Sequence, residues 1–178
     1  MRIMVALANG FEEIETFTVI DVLRRAGIAV DTVGVVGSVI QGMHNTRVMV
    51  DKRFSEVNVE NYDGIVIPGG SPGYTNLSRS SGLMEMLRKF DAQGKMIGAI
   101  CMGPSVLAKA GVLEGHKATI YPGAERELPY PRGDRLVIDS NIITSQAPGT
   151  AMEFSLALVE QLAGQKMVER LRKDLLIG

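Results

Sequence analysis

The chain is poor in the residues on which disulfide-linked and metal-binding proteins depend. It contains one cysteine and two histidines among 178 residues. One cysteine excludes an internal disulfide and a cysteine-rich metal site, and we expect no bound metal ion. An excess of either charge is also missing, because 19 basic residues stand against 20 acidic ones. That balance disfavours a nucleic-acid partner, which requires a concentrated basic surface.

Long hydrophobic runs are absent as well. The longest apolar stretches have the length of a strand, which is too short to cross a bilayer, so we expect no membrane partner. Residues 1–8 lead directly into a helical pattern, which predicts a first strand rather than a secretory signal. We therefore expect a cytoplasmic protein. Hydrophobic residues make up 46% of the chain and no linker or repeat divides it, so residues 1–178 are predicted to form a single domain.

Strand and helix patterns alternate along the chain. Strands are predicted at residues 2–8, 28–36, 63–67, 95–100, 117–120 and 136–144, with a hairpin at 39–50. Helices are predicted at residues 12–26, 83–92, 104–110, 150–162 and 166–176. Such alternation predicts an α/β fold with a mainly parallel sheet that helices cover on both faces. Ligands of open parallel sheets bind at the carboxyl ends of the strands.

The only cysteine, Cys101, follows one of these strands in the segment Ala99–Gly103. Small residues two positions to either side permit the sharp strand-to-helix turn of a nucleophile elbow, a turn that strains the backbone of the nucleophile. A thiol that faces the start of a helix is expected to have a lowered pKa and to react as the thiolate. The alternative is a buried structural cysteine.

Two other segments reach the same edge of the predicted sheet. Glu12 shares its helical azimuth with the apolar face, so its carboxyl is expected to point inward, stay protonated and donate a hydrogen bond to the thiolate. Glu15 lies near the same face and is the competing candidate for the acid that hydrogen-bonds Cys101. Gly69 and Gly70 follow the middle strand, and their N–H groups can form an oxyanion hole with that of Met102.

Four motifs carry a resemblance to a known family. They are Asn9–Glu15, Ile67–Gly70, Ala99–Pro104 and Ala147–Thr150. In this order and with compatible spacing they resemble the ThiJ/PfpI superfamily, in its Parkinson-disease-protein/YajL-like branch. The resemblance implies a flavodoxin-like three-layer α/β sandwich, a homodimer and activity without a cofactor.

The resemblance also implies roles for individual residues. Cys101 corresponds to the reactive, oxidation-prone cysteine, and Glu12 to the protonated glutamate that hydrogen-bonds it. Gly70 and Met102 correspond to the amides on the oxyanion side, and Arg25 to an arginine near the dimer interface. The implied activity is of the glyoxalase III or deglycase type, on small 2-oxoaldehydes (methylglyoxal, glyoxal) or glycated groups. The alternative is a redox-sensing chaperone, protective under oxidative stress, that uses the same cysteine without turnover.

The chain departs from the family pattern at two positions. Tyr121 stands where several members have a histidine beside the cysteine. Tyrosine is a weak base at neutral pH, although it can donate a hydrogen bond to a substrate oxygen. Met102 stands where the PfpI-type proteases have a histidine, which disfavours proteolysis. His44 and His116 are both interpreted as surface loop residues.

Overall fold

A seven-stranded sheet forms the centre of the protein, for which a computed structural model describes residues 1–178. The strands are β1 (Arg2–Leu7), β2 (Ala29–Gly34), β5 (Lys52–Arg53), β6 (Gly64–Ile67), β7 (Met96–Ile100), β8 (Leu136–Asp139) and β9 (Ile142–Ser145). Their spatial order is β5-β2-β1-β6-β7-β9-β8. Neighbouring strands are parallel except for the antiparallel pair β8 and β9. Strands β6 and β7 are buried along their whole length, as their continuous apolar runs predict.

Six α-helices cover the two faces of this sheet. They are α1 (Glu13–Arg25), α2 (Gly73–Ser78), α3 (Ser81–Ala92), α4 (Gly103–Ala110), α5 (Ala151–Ala163) and α6 (Gln165–Asp174). One hydrophobic cluster joins the sheet to α1, α5 and α6, and a second joins it to α2, α3 and α4. The predicted three-layer α/β sandwich is thereby confirmed. None of these helices combines the length and the apolar character that a bilayer span requires.

Two predicted strands differ from the structure. The run predicted as one strand at residues 136–144 is the hairpin of β8 and β9, in which Ser140 has a φ of 60°. The segment predicted as a strand at residues 117–120 forms only an isolated bridge between Ala118 and Pro131. The reason is local: the N–H of Thr119 donates to the side-chain oxygen of Thr144 instead of to a backbone ladder.

A short hairpin lies outside the central sheet and reaches the start of α1. Its strands, β3 (Val39–Gln41) and β4 (Arg47–Met49), pair only with each other. The N–H of Gly10 donates to the carbonyl of Gln41 at 2.7 Å, and the N–H of Met43 donates to the carbonyl of Phe11 at 2.8 Å. These bonds hold the hairpin turn beside the carboxyl end of β1.

Candidate active site

Cys101 lies at the carboxyl end of β7, directly before the first turn of α4. Its φ of 61° is in the left-handed region, which is uncommon for a residue with a side chain. Met102 is the N-cap of α4 and Pro104 lies in the first turn of that helix. The predicted elbow and its backbone strain are therefore present. The residue is 9% exposed, so the sulfur is nearly enclosed.

The glycine pair after β6 lines one side of the sulfur. A Cβ on Gly69 would lie 2.6 Å from the Cβ of Cys101 and 3.0 Å from its Sγ, so no other residue type fits there. The backbone N–H groups of Gly70 and Met102 act on the sulfur in the direction that lowers its pKa. The N–H of Gly69 instead donates to Oε2 of Glu15 at 2.8 Å, so the prediction that Gly69 contributes to the oxyanion hole is wrong.

Glu15, and not Glu12, is the acid beside the sulfur. Glu15 is fully buried, its Oε1 has no hydrogen-bond partner, and the thiol of Cys101 is close enough to affect its pKa. Glu12 is the N-cap of α1, where its Oε2 accepts a hydrogen bond from the N–H of Glu15 at 2.7 Å. The prediction for Glu12 is wrong because its backbone is extended. Helical periodicity predicts the direction of side chains only from Glu13 onward, where α1 begins, and so does not apply to Glu12.

The pKa values of Glu15 and Cys101 are both raised. Burial raises the pKa of Glu15 from 4.5 to about 7. Burial, the charge of an ionised Glu15 and the hydrogen bond to it raise the pKa of the Cys101 thiol to about 12. The position before a helix therefore does not lower the pKa of this thiol, and that prediction is wrong.

The two groups titrate as a pair. The pair loses one proton near neutrality and the second only in strong alkali, so at intermediate pH a single proton is shared between carboxyl and sulfur. The N–H groups of Gly70 and Met102 favour the negative charge on the sulfur, whereas that of Gly69 favours it on the carboxylate. Because the thiol has the higher pKa, the proton of the singly protonated pair lies mainly on the sulfur, and Glu15 is the carboxylate that can accept it when the sulfur reacts.

A cavity of about 360 Å³ opens onto Cys101. Its lining consists of Glu12, Met43, His44, Gly70, Ser71, Cys101, Met102, Tyr121 and Pro148. The structure thus brings Tyr121 into the site: its side chain is half exposed, and its N–H donates to the carbonyl of Cys101 at 3.0 Å. Met43, Ser71 and Pro148 were missed by sequence reasoning, because residues from separate loops meet here.

His44 is an exposed loop residue, as predicted, but it also lines this cavity. Its Nδ1 lies 2.9 Å from Oε2 of Glu13, and its N–H donates to Oε1 of the same carboxylate at 2.9 Å. Partial burial alone would raise the pKa of Glu13, but the hydrogen bonds from His44 outweigh it and the pKa of Glu13 is lowered. Ligand atoms of Glu12, Glu13 and His44 lie within 4.8 Å of one another. Because Glu13 and His44 already hydrogen-bond each other, we describe them as a dyad and not as a cation site.

Arg25 lies outside the cavity. It is near the end of α1, and its Nε is 2.6 Å from Oδ2 of Asp21. Asp21 and Arg25 share the solvent-facing side of α1 with the exposed apolar side chains of Ile14 and Phe17.

The chain is a three-layer α/β sandwich with its one cysteine on a strand-to-helix elbow, which places it among the α/β proteins that carry a site thiol at this position. Comparison with known proteins identifies the family within that class. The model of the DJ-1/PfpI family matches residues 1–161, and the chain belongs to this family. The resemblance drawn from the four sequence motifs is therefore confirmed.

Several relatives are similar over nearly their whole length. Protein dj-1beta of Drosophila melanogaster is 38% identical, with 98% of this chain and 96% of the relative covered. A Pyrococcus abyssi protein named a deglycase is 34% identical, with 91% of this chain and 99% of the relative covered. The solved structure of oxidised Toxoplasma gondii DJ-1 has a TM-score of 0.95 at 37% identity, with 98% of this chain and 97% of that chain covered.

Proposed function

We propose that the protein converts small 2-oxoaldehydes to hydroxy acids without a cofactor, and acts on glycated groups by the same initial step. One observation carries the proposal: the sulfur of Cys101 lies between the Glu15 carboxyl and two N–H groups, at the base of a cavity of about 360 Å³. A cavity of this size suits a small molecule or the end of a modified side chain. The deglycase name of the Pyrococcus abyssi relative supports the same chemistry.

The reaction begins when the Glu15 carboxylate takes the thiol proton and the sulfur of Cys101 adds to the aldehyde carbon of methylglyoxal. Glu15 then passes this proton to the aldehyde oxygen, which gives a hemithioacetal and restores the carboxylate. The N–H groups of Gly70 and Met102 stabilise the negative charge that develops on the aldehyde oxygen. Glu15 then moves the proton of the former aldehyde carbon to the adjacent carbon. The hydroxyl proton passes to the former ketone oxygen, so the hemithioacetal becomes the thioester of a 2-hydroxy acid. Water hydrolyses the thioester to lactate and restores the thiol, so the oxidation of one carbon is balanced by the reduction of its neighbour.

Lactate formation from methylglyoxal without glutathione tests this proposal. The unmodified protein should form lactate, and Cys101→Ala should form none above the uncatalysed rate because no thioester can be made. Equal rates for the two proteins would overturn the proposal. Circular dichroism of both proteins provides the control for folding.

A second function is favoured by the same sulfur position. Cys101 is a free thiol with no second cysteine, so its oxidation stops at a sulfur acid rather than at an internal disulfide. A protonated Glu15 can donate a hydrogen bond to a sulfinate oxygen, and the oxidised Toxoplasma gondii relative supports this reading. We expect mild peroxide to give the sulfinate mass on the unmodified protein and not on Cys101→Ala. That result without any lactate formation would assign the protein to redox sensing or to a chaperone activity.

We also propose that the protein is a cytoplasmic homodimer. Large apolar side chains are exposed on the solvent-facing side of α1, which also carries Arg25, and on the hairpin, and a second copy would cover them; they are Ile14, Phe17, Val39 and Met49. The family resemblance supports this use of the surface, and a free thiol suits a reducing compartment. The mass in solution, measured by light scattering, separates a dimer from a monomer.

A further inference from the structure

A second titratable pair lies at the mouth of the Cys101 cavity, and the steps proposed above do not use it. His44 lines the cavity, and Glu13 holds it at two points. Oε1 of Glu13 accepts a hydrogen bond from the backbone N–H of His44 at 2.9 Å, and Oε2 of Glu13 lies 2.9 Å from Nδ1 of His44. One carboxylate therefore fixes both the backbone and the ring of this histidine.

The backbone around the pair is built for this contact. Gly42 forms a bridge with Phe11, and the adjacent Met43 donates its N–H to the carbonyl of Phe11 at 2.8 Å. A Cβ on Gly42 would collide with the Glu13 carboxylate, so any larger residue would push Glu13 away from His44. The position of His44 is thus determined by the hairpin and by α1 together.

The hydrogen bond to Glu13 decides which ring nitrogen is available. With Nδ1–H donating to an ionised carboxylate, the lone pair of the neutral imidazole is on Nε2. A histidine that a carboxylate orients in this way is the arrangement of a general base. The side chain of His44 is 66% exposed, so water reaches it freely.

The other groups around the cavity are less suited to activate water. Tyr121 is a weak base at neutral pH, and Oε2 of Glu12 is occupied by the N–H of Glu15. Glu15 is fully buried beside Cys101 and does not line the cavity, so it can act on the substrate carbon that is bonded to the sulfur but is enclosed from water on the open side. Hydrolysis of a thioester on Cys101 requires a base that water can reach from the open side. Glu12 is only 6% exposed and caps α1, whereas His44 is open to water.

We propose that His44 is the general base for hydrolysis of the thioester and that Glu13 is its positioning residue, a role that rests on the proposed 2-oxoaldehyde activity. Nε2 of His44 takes a proton from water while the water oxygen forms a bond to the thioester carbon. The carbon–sulfur bond then breaks, and its electron pair stays on the sulfur of Cys101. The imidazolium proton passes to the pair of Cys101 and Glu15, so the products are the hydroxy acid and the regenerated site.

The test compares His44→Gln and Glu13→Gln with the control variant His116→Gln. His116 is a matched control because its Nδ1 also lies near a carboxylate oxygen, Oδ1 of Asp139 at 3.6 Å, but it does not line the cavity. Lactate formation from methylglyoxal is measured with a chelator present, and the protein is quenched during turnover for intact mass. We expect His44→Gln to lower kcat by about 10²-fold or more. Its quenched protein should carry the mass of one lactoyl group, which hydroxylamine releases as the hydroxamic acid, whereas a hemithioacetal of equal mass gives no hydroxamic acid. Glu13→Gln should lower kcat with little change in KM, and His116→Gln should match the unmodified protein.

Chemical rescue gives a second measurement on the same residue. Added imidazole should restore lactate formation by His44→Gly, because the exposed position admits the free base. An unchanged kcat in His44→Gln, or a lowered kcat with no lactoyl-protein, would overturn the role of His44. Absence of lactate from the unmodified protein would instead overturn the proposed function itself, so the two failures are distinguishable.

Discussion

Glutamine in place of Glu15 is expected to lower kcat for lactate formation by about 10²- to 10⁴-fold, the usual range for loss of a proton-transfer group. A glutamine side chain has nearly the same shape, and its carbonyl oxygen can still accept the hydrogen bond from Gly69. It cannot take up and release the proton that must move between the two substrate carbons. Steady-state lactate formation at saturating methylglyoxal measures the effect.

Glu12→Gln is the comparison that makes this result specific. Its amide oxygen can still cap α1 by accepting from the N–H of Glu15, so we expect a much smaller loss of kcat. Equal losses in the two variants, or a larger loss in Glu12→Gln, would return the proton-transfer role to Glu12. Melting curves of both variants show whether either loss comes from unfolding.

The same Glu15→Gln substitution is expected to change how stability depends on pH. The pKa of Glu15 is about 7 in the folded protein, against 4.5 for an ordinary glutamate. Below the lower value both the folded and the unfolded chain hold this proton. As pH rises to about 7 only the unfolded chain loses it, so the free energy of unfolding falls. The difference of about 2.5 in pKa corresponds to a loss of about 3 kcal/mol.

Urea unfolding at about pH 5 and about pH 8 measures this loss. The free energy of unfolding of the unmodified protein should fall by most of this ~3 kcal/mol between the two pH values, whereas that of Glu15→Gln should lack this part of the pH dependence. The range stays well below the Cys101 pKa of about 12 in the folded protein and reaches only the beginning of thiol ionisation in the unfolded chain, so the thiol contributes little. Parallel pH dependence in the two proteins would show that Glu15 does not carry a raised pKa.

The fold was predictable wherever a strand or helix has a continuous apolar pattern of its own. Strands β6 and β7 are such runs, and the elbow at Cys101 follows from its immediate neighbours. Helix α2 was missed because its sequence, with Gly73 and Ser78 at its ends, has weak helix formers and depends on the packing of Leu77. The turn at Ser140 was missed because apolar residues continue on both sides of it.

The site was predictable only in its local part. The choice between Glu12 and Glu15 depends on where α1 begins, and helix boundaries are uncertain by one or two residues in sequence reasoning. His44 was missed for a different reason: it is 31 residues from Glu13, and no periodic pattern reports such a contact. The signal that could have found it is the pair of Gly42 and His44 in a turn of a predicted hairpin, since a glycine there marks a close approach to other atoms.

Because the β3–β4 hairpin is separate from the central sheet, the shape of the cavity entrance can change without a change in the position of the reactive sulfur. Its strands form a sheet of their own, yet its turn supplies Met43 and His44 to the entrance of the cavity. Grafting a turn of different length or composition between Gln41 and Arg47 would remodel that entrance and leave the elbow in β7 and α4 unaltered. Laboratory evolution of substrate range therefore has a compact target in this turn, which lines the same cavity as Cys101 but belongs to neither β7 nor α4.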